Sequence, residues 1–599
     1  MRNALLALTL GTLGCPPASD SRDPGAPPLP PQAVMVDQFG YPTDARKVAV
    51  VPVSALTDTT FELRESATGI VLGTYQATPW RDGAVHEQSA SPALVIDFSA
   101  YNRPGDVVLT STEWSSHPFR IADDVYAPVL DAAVHMFYYQ RSGIEKNAAY
   151  TRGSWTQPAD YTGPGQDTQA RSIDAPDDAS TALDLSGGWW DAGNTNKYVT
   201  FASSAVHQLL SAHSSNPGIW GDDAGIPESG NGAPDLLDEV VYELQWLRRM
   251  QQADGGVLNK VGTTDDSFSG LPADDTRPRF YGLVCSSSTI AAAGMYAHAA
   301  VVLADVDVHR SLATNLQVRA EQAWQHYRSN PRSADCDDGR IASGDADRTL
   351  AEQDAEAVAA AAWLFRLTDK AEYRDFVEAN WLDTRMGTGA AWGLYDAHHG
   401  DALVDMVLNP SSPEPLVLAI RDRMDEMMAY DLGLFGRSEH DPYGAHMPNE
   451  QYHWGSNQVK ANIGTMNLDV RRVELSDDRE YRDRAAASLH YLHGVNPLGL
   501  VYLTNMTELG AEQSATELYH QWFQNEPYVS SITSTVGPPA GYVVGGANHS
   551  YSGPLTLPGP YQLAYVDTGR AEDVAWELSE PGIDYQAAYI RLLSEFVPE

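Results

Sequence analysis

The sequence predicts a two-domain protein in which a β-sandwich precedes a larger, all-helical domain. The chain has 599 residues, which is too long for one ordinary core. From Ala33 to Ala122, short runs of alternating apolar and polar residues are separated by turn residues, as in a sandwich. From Asp123 to Glu599, apolar residues recur at helical spacing, which predicts paired helices that close into a barrel with the loops on one face.

Residues 1–32 are interpreted as an export signal followed by a Pro-rich linker. The stretch MRNALLALTLGTLGC has one Arg and then an apolar run that is too short to span a membrane. Leu13-Gly14-Cys15 resembles the lipobox of bacterial lipoproteins, although Thr12 stands where an apolar residue is usual. We expect an exported protein, either extracellular or held at the cell surface or outer membrane by a lipid on Cys15.

The sandwich strands are predicted from β-rich runs bounded by turns. Nothing in these runs suggests chemistry, and support of folding is favoured over ligand binding because they contain no row of aromatic residues that would mark a carbohydrate-binding face. The runs are VMVDQFGY, KVAVVPV, FELRE, IVLGTY, ALVIDFS and VVLTS, with turns at SATG and Pro104-Gly105.

The helices are predicted from apolar residues spaced three and four apart, each with one buried stripe. The predicted helices are Tyr126 to Ser142, Asn196 to Ala212, Pro234 to Gln252, Ser288 to Ala304, Leu312 to Arg328, Leu350 to Leu367, Pro413 to Tyr430, Asn457 to Val473, Arg479 to Leu492 and Asp584 to Glu595.

The charge favours a neutral substrate. The formal net charge is -41, from 80 acidic and 39 basic residues, so the field of the protein repels nucleic acid and anionic membranes. The sequence contains no H-E-x-x-H, G-x-S-x-G or P-loop motif. Cys285 and Cys336 are not a C-x-x-C pair; they are either free or joined in one disulfide.

The most informative stretch of the sequence runs from Ser186 to Ala202 and reads SGGWWDAGNTNKYVTFA. Its Gly pair permits close approaches, Trp190 and the tryptophan before it offer flat apolar faces, and Asp191 lies in the turn that follows. These residues suit a flat, polar ligand such as a sugar. The alternative is a plain helix start, in which Asn194 or Thr195 caps a helix that begins near Asn196.

The second informative stretch is WELSEPGIDYQAAYIRLL near the C-terminus. Ser579 is a good N-cap and Pro581 is tolerated in a first turn, so Glu580 is predicted at the start of a helix. The helix dipole would lower the pKa of this carboxyl, whereas a general acid needs it raised. A catalytic role therefore requires burial or a neighbouring carboxylate such as Asp584.

Several motifs in order resemble those of family 9 glycoside hydrolases, which are inverting β-glucanases, typically cellulases. They are GGWWDAG, PDLLDEVVYELQWLRRMQQADGG, WGSN, HGVNPLG, ELYHQWF, VVGGANH and SEPGIDYQAAY. The first domain, opening VDQFGYPTDARKVAVV, resembles the immunoglobulin-like domain that precedes the barrel in one branch of that family. The resemblance implies an all-β immunoglobulin-like sandwich followed by an all-α (α/α)6 barrel.

The resemblance also implies a single-displacement mechanism, in which a carboxylic acid protonates the leaving oxygen and a carboxylate activates water. Glu580 matches the general acid of the family, and Asp191 matches a carboxylate that holds the attacking water. Asn194 stands where the family's usual base is an Asp. An amide cannot take a proton, so three interpretations stay open. Asp191 is the base, another carboxylate has moved in, or the protein binds glycan and cleaves it poorly; we favour the first.

The remaining expectations concern binding. His520 matches a cleft histidine of the family, while Trp522 replaces the arginine usual two residues later. Stacking platforms are expected among aromatic residues beside the motifs, with core packing as the alternative for each: Trp190, Trp454, Tyr519, Trp522, Tyr551 and Tyr585. No cofactor is expected to be required. A structural calcium ion is considered at Asp274-Asp275 or at Asp335 to Asp347, where solvated loop charge is the alternative.

The expected function is hydrolysis of β-1,4-glucan, or a related β-glycan, by a monomeric enzyme. Two alternatives remain. One is an exo-acting β-glycosidase on short oligosaccharides. The other is a non-catalytic glycan-binding protein, which Asn194 favours.

Overall fold

The computed structural model describes residues 33–53, 59–430, 432–436 and 439–599. The predicted export signal, the Cys15 lipid site and the Pro-rich linker lie outside these residues. Within the described ranges, no helix has both the length and the apolar character that a membrane span requires.

The first domain is a sandwich of two antiparallel sheets with the strand orders β1-β5-β4 and β3-β2-β6-β7. Inward residues such as Phe61 and Leu63 alternate with outward ones along β2, as the sequence pattern requires. The run VMVDQFGY forms isolated bridges here rather than a strand. The strands are β1 (Val48–Pro52), β2 (Thr60–Glu65), β3 (Val71–Gln76), β4 (Thr78–Pro79), β5 (Ala93–Asp97), β6 (Gly105–Thr110) and β7 (Phe119–Ile121).

The second domain is built from helices joined by long loops. Every helix predicted from the apolar spacing is present within a few residues of its predicted ends, and α7, α8 and α9 were not predicted. The helices are α1 (Ala127–Gln140), α2 (Val199–Ser215), α3 (Asp235–Met250), α4 (Ser286–Leu303), α5 (Arg310–Ser329), α6 (Leu350–Thr368), α7 (Ala371–Asn380), α8 (Arg385–Thr388), α9 (Ala397–Leu408), α10 (Glu414–Ala429), α11 (Ser456–Arg472), α12 (Arg479–Leu492) and α13 (Ile583–Ser594). Short strands lie in the loops at Arg171–Ser172, Lys197–Tyr198, Val257–Leu258, Lys260–Gly262, Phe280–Tyr281, Val284–Cys285, Val501–Thr504 and Ser514–Ala515.

The helices form pairs of an inner and an outer member. Helices α13, α2, α4, α6 and α9 pack in succession, and α11 packs on the other side of α13. Each inner helix has an outer partner: α1 on α13, α3 on α2, α5 on α4, α7 on α6, α10 on α9 and α12 on α11. This paired arrangement leaves the loops to form the face on which a cleft can open.

The inner helices differ from the single-stripe expectation. Helix α11 is buried from Ser456 through Val470, including its polar residues, whereas α5 buries only a spaced stripe that includes Leu316 and Tyr327. A helix surrounded by neighbours on every side has no solvent face. The one-stripe pattern therefore holds for an outer helix such as α5, whereas the outer helix α1 is buried at every position from Ala132 to Gln140.

A buried ionic cluster joins the two domains. The Asp37 carboxylate, in the first domain, accepts hydrogen bonds from His490 Nδ1 at 2.7 Å, His493 Nδ1 at 2.9 Å and the Tyr126 hydroxyl at 2.9 Å. The histidines hold the pKa of Asp37 below its usual value although burial acts in the opposite direction. This contact supports the expectation that the sandwich stabilises the helical domain.

Candidate active site

The loop face of the helical domain holds a cavity of about 1110 Å³. This volume exceeds the range of roughly 300–1,000 Å³ that is usual for small-molecule sites, so several sugar rings fit. Both informative stretches contribute to its wall: Asp191 and Asn194 from the first, and Glu580, Asp584 and Tyr585 from the second. Tertiary structure thus brings together residues that are almost 400 positions apart in sequence.

The turn that carries Asp191 is held from behind by buried polar groups. The backbone N–H of Trp189 donates to Glu243 Oε2 at 2.6 Å. Lys197 Nζ donates to the Gly187 carbonyl at 2.7 Å and pairs with Asp167 Oδ2 at 2.7 Å. Gly188 has φ +75°, and a Cβ there would collide with the Trp246 ring. The backbone of this turn is therefore fixed before any ligand arrives.

The predicted helix cap at Asn194 or Thr195 is wrong, because α2 begins only at Val199 and Tyr198 precedes it without a side-chain cap. The Asn194 Oδ1 instead accepts the backbone N–H of Asn196 at 2.9 Å, a turn of the kind that Asn forms readily. This bond orients the amide so that its NH₂ group is the end left for a ligand.

Glu580 also lies outside the helix predicted to begin around it. Helix α13 starts at Ile583, with Gly582 as its N-cap residue, and the Ser579 hydroxyl bonds the Thr568 carbonyl instead of capping. Glu580 is 6% exposed. Glu580 is therefore a buried loop residue and not part of the first helical turn, for which the pKa-lowering effect of the helix dipole was predicted.

Two hydrogen bonds donated by backbone N–H groups join the loop that contains Glu580 to the turn at Asp191. The Gly193 N–H donates to Glu580 Oε1 at 3.1 Å, and the Ile583 N–H donates to the Asp191 carbonyl at 3.0 Å. A Cβ at Gly193 would lie 2.4 Å from the Tyr519 carbonyl oxygen and 3.0 Å from Glu580 Oε1. Only glycine allows this approach to the Tyr519 backbone, and a side chain at position 193 would also crowd the Glu580 carboxyl.

Three carboxyls in this part of the cavity have raised pKa values, and burial is the largest cause at each. Burial, followed by the charge of Asp191, raises the pKa of Glu580 well above its usual value. Burial, followed by the charge of Asp584, raises the pKa of Asp191 in the same way. Burial raises the pKa of Asp584 to about 6. The condition set by the sequence, burial or a neighbouring carboxylate, is met at Glu580 by both.

Asp266 is an acidic residue of the cavity that sequence reasoning missed. It lies in the exposed loop after the strand Lys260–Gly262, accepts the Ser343 hydroxyl, and contributes to the raised pKa of Glu580. An Asp pair in a polar loop carries no periodicity or spacing signal. Only its position facing the cavity identifies it.

Among the expected stacking residues, Trp454, Tyr519 and Tyr585 line the cavity. Trp454 is 44% exposed, which is unusual for a tryptophan and leaves its face free for a sugar ring. Trp576, which was not predicted, also lines the cavity and meets the Tyr519 ring edge-on at 5.6 Å.

Trp190 and His520 lie behind the cavity wall rather than in it. Both are completely buried, and their rings are 6.1 Å apart. His520 Nε2 bonds Gln140 Oε1 at 2.9 Å, and Gln140 Nε2 donates to the carbonyls of Trp190 and Ala192. Burial lowers the pKa of His520 to about 3. In this structure these two residues support the turn at Asp191 and do not reach a ligand.

Trp522 and Tyr551 also fall outside the cavity lining. Trp522 is buried against Phe523 at 4.9 Å, and the Tyr551 hydroxyl bonds the Asp573 carbonyl. Core packing, the alternative stated for each aromatic residue, describes these two.

A second ionic group also lines this cavity. Glu356 Oε2 accepts from His398 Nε2 at 2.9 Å and His399 Nε2 at 2.7 Å, and Glu356 Oε1 accepts the Ser203 hydroxyl at 2.9 Å. These histidines lower the pKa of Glu356 well below its usual value, and the carboxylate raises the pKa of His398. Arg348, Arg385 and Asp396 line the cavity nearby.

The two acidic stretches considered for calcium are engaged by cationic side chains. Asp275 receives a bidentate contact from Arg277, and Asp337 pairs with Lys260 Nζ at 2.6 Å. A tighter carboxylate group lies elsewhere. Oxygens of Asp222, Asp235 and Asp238 are within 4.8 Å of one another, and Asp235 Oδ1 is buried with no hydrogen-bond partner in the described structure. Asp238 Oδ1 in this group also pairs with His309 Nε2 at 2.9 Å.

Comparisons with known proteins identify the family and the fold. The sequence model "Glycosyl hydrolase family 9" matches residues 126–593, and the model "Cellulase N-terminal ig-like domain" matches residues 30–116. Endoglucanase C of Cellulomonas fimi is 28% identical over 90% of this chain and 49% of its own length, so the chain spans about half of that relative. A xyloglucan-specific endo-beta-1,4-glucanase of Bacteroides ovatus is 27% identical over 95% of this chain and 94% of its own. The crystal structure of a metagenome-derived family 9 endoglucanase superposes with a TM-score of 0.80 at 26% identity, over 94% of this chain and 98% of that one.

Proposed function

This chain belongs to glycosyl hydrolase family 9, and we propose that it hydrolyses β-1,4-linked glucan with inversion at the anomeric carbon. Family membership makes it a glycoside hydrolase and confirms the predicted fold class, an immunoglobulin-like sandwich followed by an (α/α)6 barrel. The substrate, the direction of attack and the residue roles given below are our proposal.

The observation that carries the proposal is the contact between the two loops. The Gly193 N–H donates to Glu580 Oε1 at 3.1 Å, so the Glu580 carboxyl lies beside the turn that bears Asp191 and Asn194. An inverting hydrolase needs an acid and a base on opposite sides of the scissile bond with room for water between them. Residues of both loops line the same cavity of about 1110 Å³, which supports the proposal that a water molecule can reach the scissile bond.

Glu580 is the proposed general acid. Its raised pKa keeps the carboxyl protonated at a pH where an exposed glutamate has ionised. It donates its proton to the glycosidic oxygen as the bond to the anomeric carbon breaks. Trp454 and Tyr585 hold the sugar rings through their apolar faces.

Asp191 is the proposed base, and Asn194 is the proposed ligand of the attacking water. The NH₂ of Asn194 donates to the water oxygen, while the Asp191 carboxylate accepts the proton that the water loses. Because the pKa of Asp191 is itself raised, it is ionised only at higher pH than an ordinary aspartate. Activity therefore requires the form in which Asp191 is ionised while Glu580 is protonated.

A non-catalytic glycan receptor is the second candidate function, and Asn194 is the observation that favours it. Time-resolved proton NMR with cellohexaose separates the two. Reducing ends that appear first in the α configuration and then mutarotate support inverting hydrolysis, and product lengths distinguish endo from exo action. Broadened sugar signals without new reducing ends overturn hydrolysis in favour of binding.

The remaining expectations about the whole protein stay proposals. We propose that it is exported, extracellular or tethered through Cys15, and that it acts as a monomer. A detergent-phase partition assay on wild type and Cys15→Ser distinguishes the tethered form from the free one. Loss of partition in the variant supports the lipid anchor.

A further inference from the structure

The segment between α5 and α6, residues 330–349, contains no helix or strand yet forms part of the active-site wall. Ser343, Gly344 and Arg348 from this segment line the cavity, and Ser343 bonds Asp266. A connection of this length without secondary structure is uncommon inside a compact domain and needs anchors. Its anchors therefore bear on the shape of the cleft.

Cys336 in this segment lies beside Cys285, the residue that immediately precedes α4. The two Sγ atoms are within 4.8 Å of each other, with an oxygen of Asp347 inside the same limit. Among the described residues these are the cysteines of the chain, 51 positions apart in sequence. Both are free thiols here; Cys285 is 1% exposed and Cys336 is partly exposed.

The surrounding backbone already holds the two thiols together. The Ser286 hydroxyl donates to the Ser333 carbonyl at 3.1 Å and accepts the Ser333 N–H at 3.0 Å. On the other side, Asp347 Oδ2 accepts the backbone N–H of Cys336 at 2.6 Å. A disulfide needs both an S–S bond of about 2.05 Å and Cα atoms that are already close. The contacts between Ser286 and Ser333 join the backbones next to the two cysteines, and the proposal adds a side-chain rotation that brings the sulfurs from within 4.8 Å to bonding distance.

We propose that Cys285 and Cys336 form a disulfide in the mature protein, and that this bond ties the 330–349 segment of the cleft wall to the start of α4. Neither cysteine takes part in the proposed hydrolysis, so the disulfide is a separate structural modification. An exported protein meets the oxidising conditions under which such bonds persist.

The bond forms by two thiol–disulfide exchanges with an external disulfide such as oxidised glutathione. The Cys336 thiol is the accessible one, and a hydrogen bond from Cys285 lowers its pKa. Its thiolate attacks one sulfur of glutathione disulfide and releases one glutathione. Cys285 then loses its proton, attacks the Cys336 sulfur and releases the second. The protein loses two electrons and two protons, and glutathione disulfide becomes two thiols.

Peptide mapping of the full-length protein tests the bond directly. After equilibration with glutathione disulfide, the protein is alkylated, digested without reductant and analysed by mass spectrometry. We expect one linked pair of peptides that contain residues 285 and 336 and that separate on reduction. Two separately alkylated peptides overturn the proposal. So does one zinc ion per chain in elemental analysis of the untreated protein, because Cys285, Cys336 and Asp347 would then be metal ligands.

Limited proteolysis tests the role in the cleft wall. We expect dithiothreitol to speed cleavage within 330–349 by about tenfold or more, because reduction frees the segment to open locally. Cys336→Ser should be cleaved at the fast rate with or without reductant, and Cys285→Ala is the matched variant from the other side. Equal rates for oxidised and reduced wild type overturn the proposed role, whether or not either variant folds. These readouts do not depend on hydrolytic activity.

Discussion

Two groups of buried carboxyls in the cleft behave in opposite ways. In the unpaired group, Asp191, Glu580 and Asp584 form no ion pair in the described structure, and all three pKa values are raised. In the paired group, Glu356 accepts hydrogen bonds from two histidines, and its pKa is lowered. Burial disfavours the charged form in both groups, so pairing makes the difference. Unpaired carboxyls can carry protons, whereas the paired one is a fixed charge.

The largest effect on activity is expected in the unpaired group, from Glu580→Gln. The variant keeps the side-chain volume but removes the proton, so hydrolysis of cellohexaose should fall by roughly 100- to 10,000-fold. Reducing-sugar release measures the loss. Thermal unfolding is the control, and its midpoint should change little because no ion pair is broken. Full retained activity would show that Glu580 is not the acid.

A smaller effect is expected from Asn194→Asp, which restores the family's usual residue type at this position. If Asp191 already serves as base, the rate should change by less than about tenfold. The matched variant Asp191→Asn should lose on the order of 100-fold, since it removes the proton acceptor. A gain above 100-fold in Asn194→Asp would instead mean that the natural site lacks an effective base.

The pH dependence offers a subtler test through Asp584→Asn. The negative charge of Asp584 raises the pKa of Asp191, so its removal should lower that pKa and let the base ionise at lower pH. The acidic limb of the kcat/KM profile should therefore move to lower pH, by about one unit or less. If the acidic limb does not move with the same oligosaccharide, the group that acts as the base is not Asp191.

The smallest effect on catalysis is expected in the paired group, where Glu356→Gln should change the stability of the fold. His398 has a folded-state pKa above 6.5, so its pairing stabilises the fold fully below pH 6.5 and is lost as pH rises through the raised value. We expect a loss of about 1–3 kcal/mol in the free energy of unfolding at pH 5.5. Urea unfolding of wild type and variant should differ less at pH 9. An equal difference at both pH values would refute the ionic pairing.

Most of the architecture could be read from the sequence. Apolar spacing located the major helices, because burial of one face imposes its period on the residues. The boundaries that failed lie at the active site. Helix α2 begins at Val199 and α13 at Ile583, whereas the sequence pattern places a helix start near Asn196 and Glu580 at the head of the last helix. At both places the backbone forms hydrogen bonds with another loop instead of continuing a helix. Local helix propensity carries no information about such long-range contacts.

The sequence identified some features of the active site, and only the tertiary structure showed the others. The order of the motifs is enough to single out Glu580, Asp191 and the departure at Asn194, since residue types and their succession along the chain can be recognised directly. Only tertiary structure showed that Gly193 brings the two loops together, that Asp266 faces the cavity, and that Trp190 and His520 lie behind its wall. Burial and pKa depend on what surrounds a side chain in space. The identity of these groups is therefore a property of the sequence, and their protonation is a property of the fold.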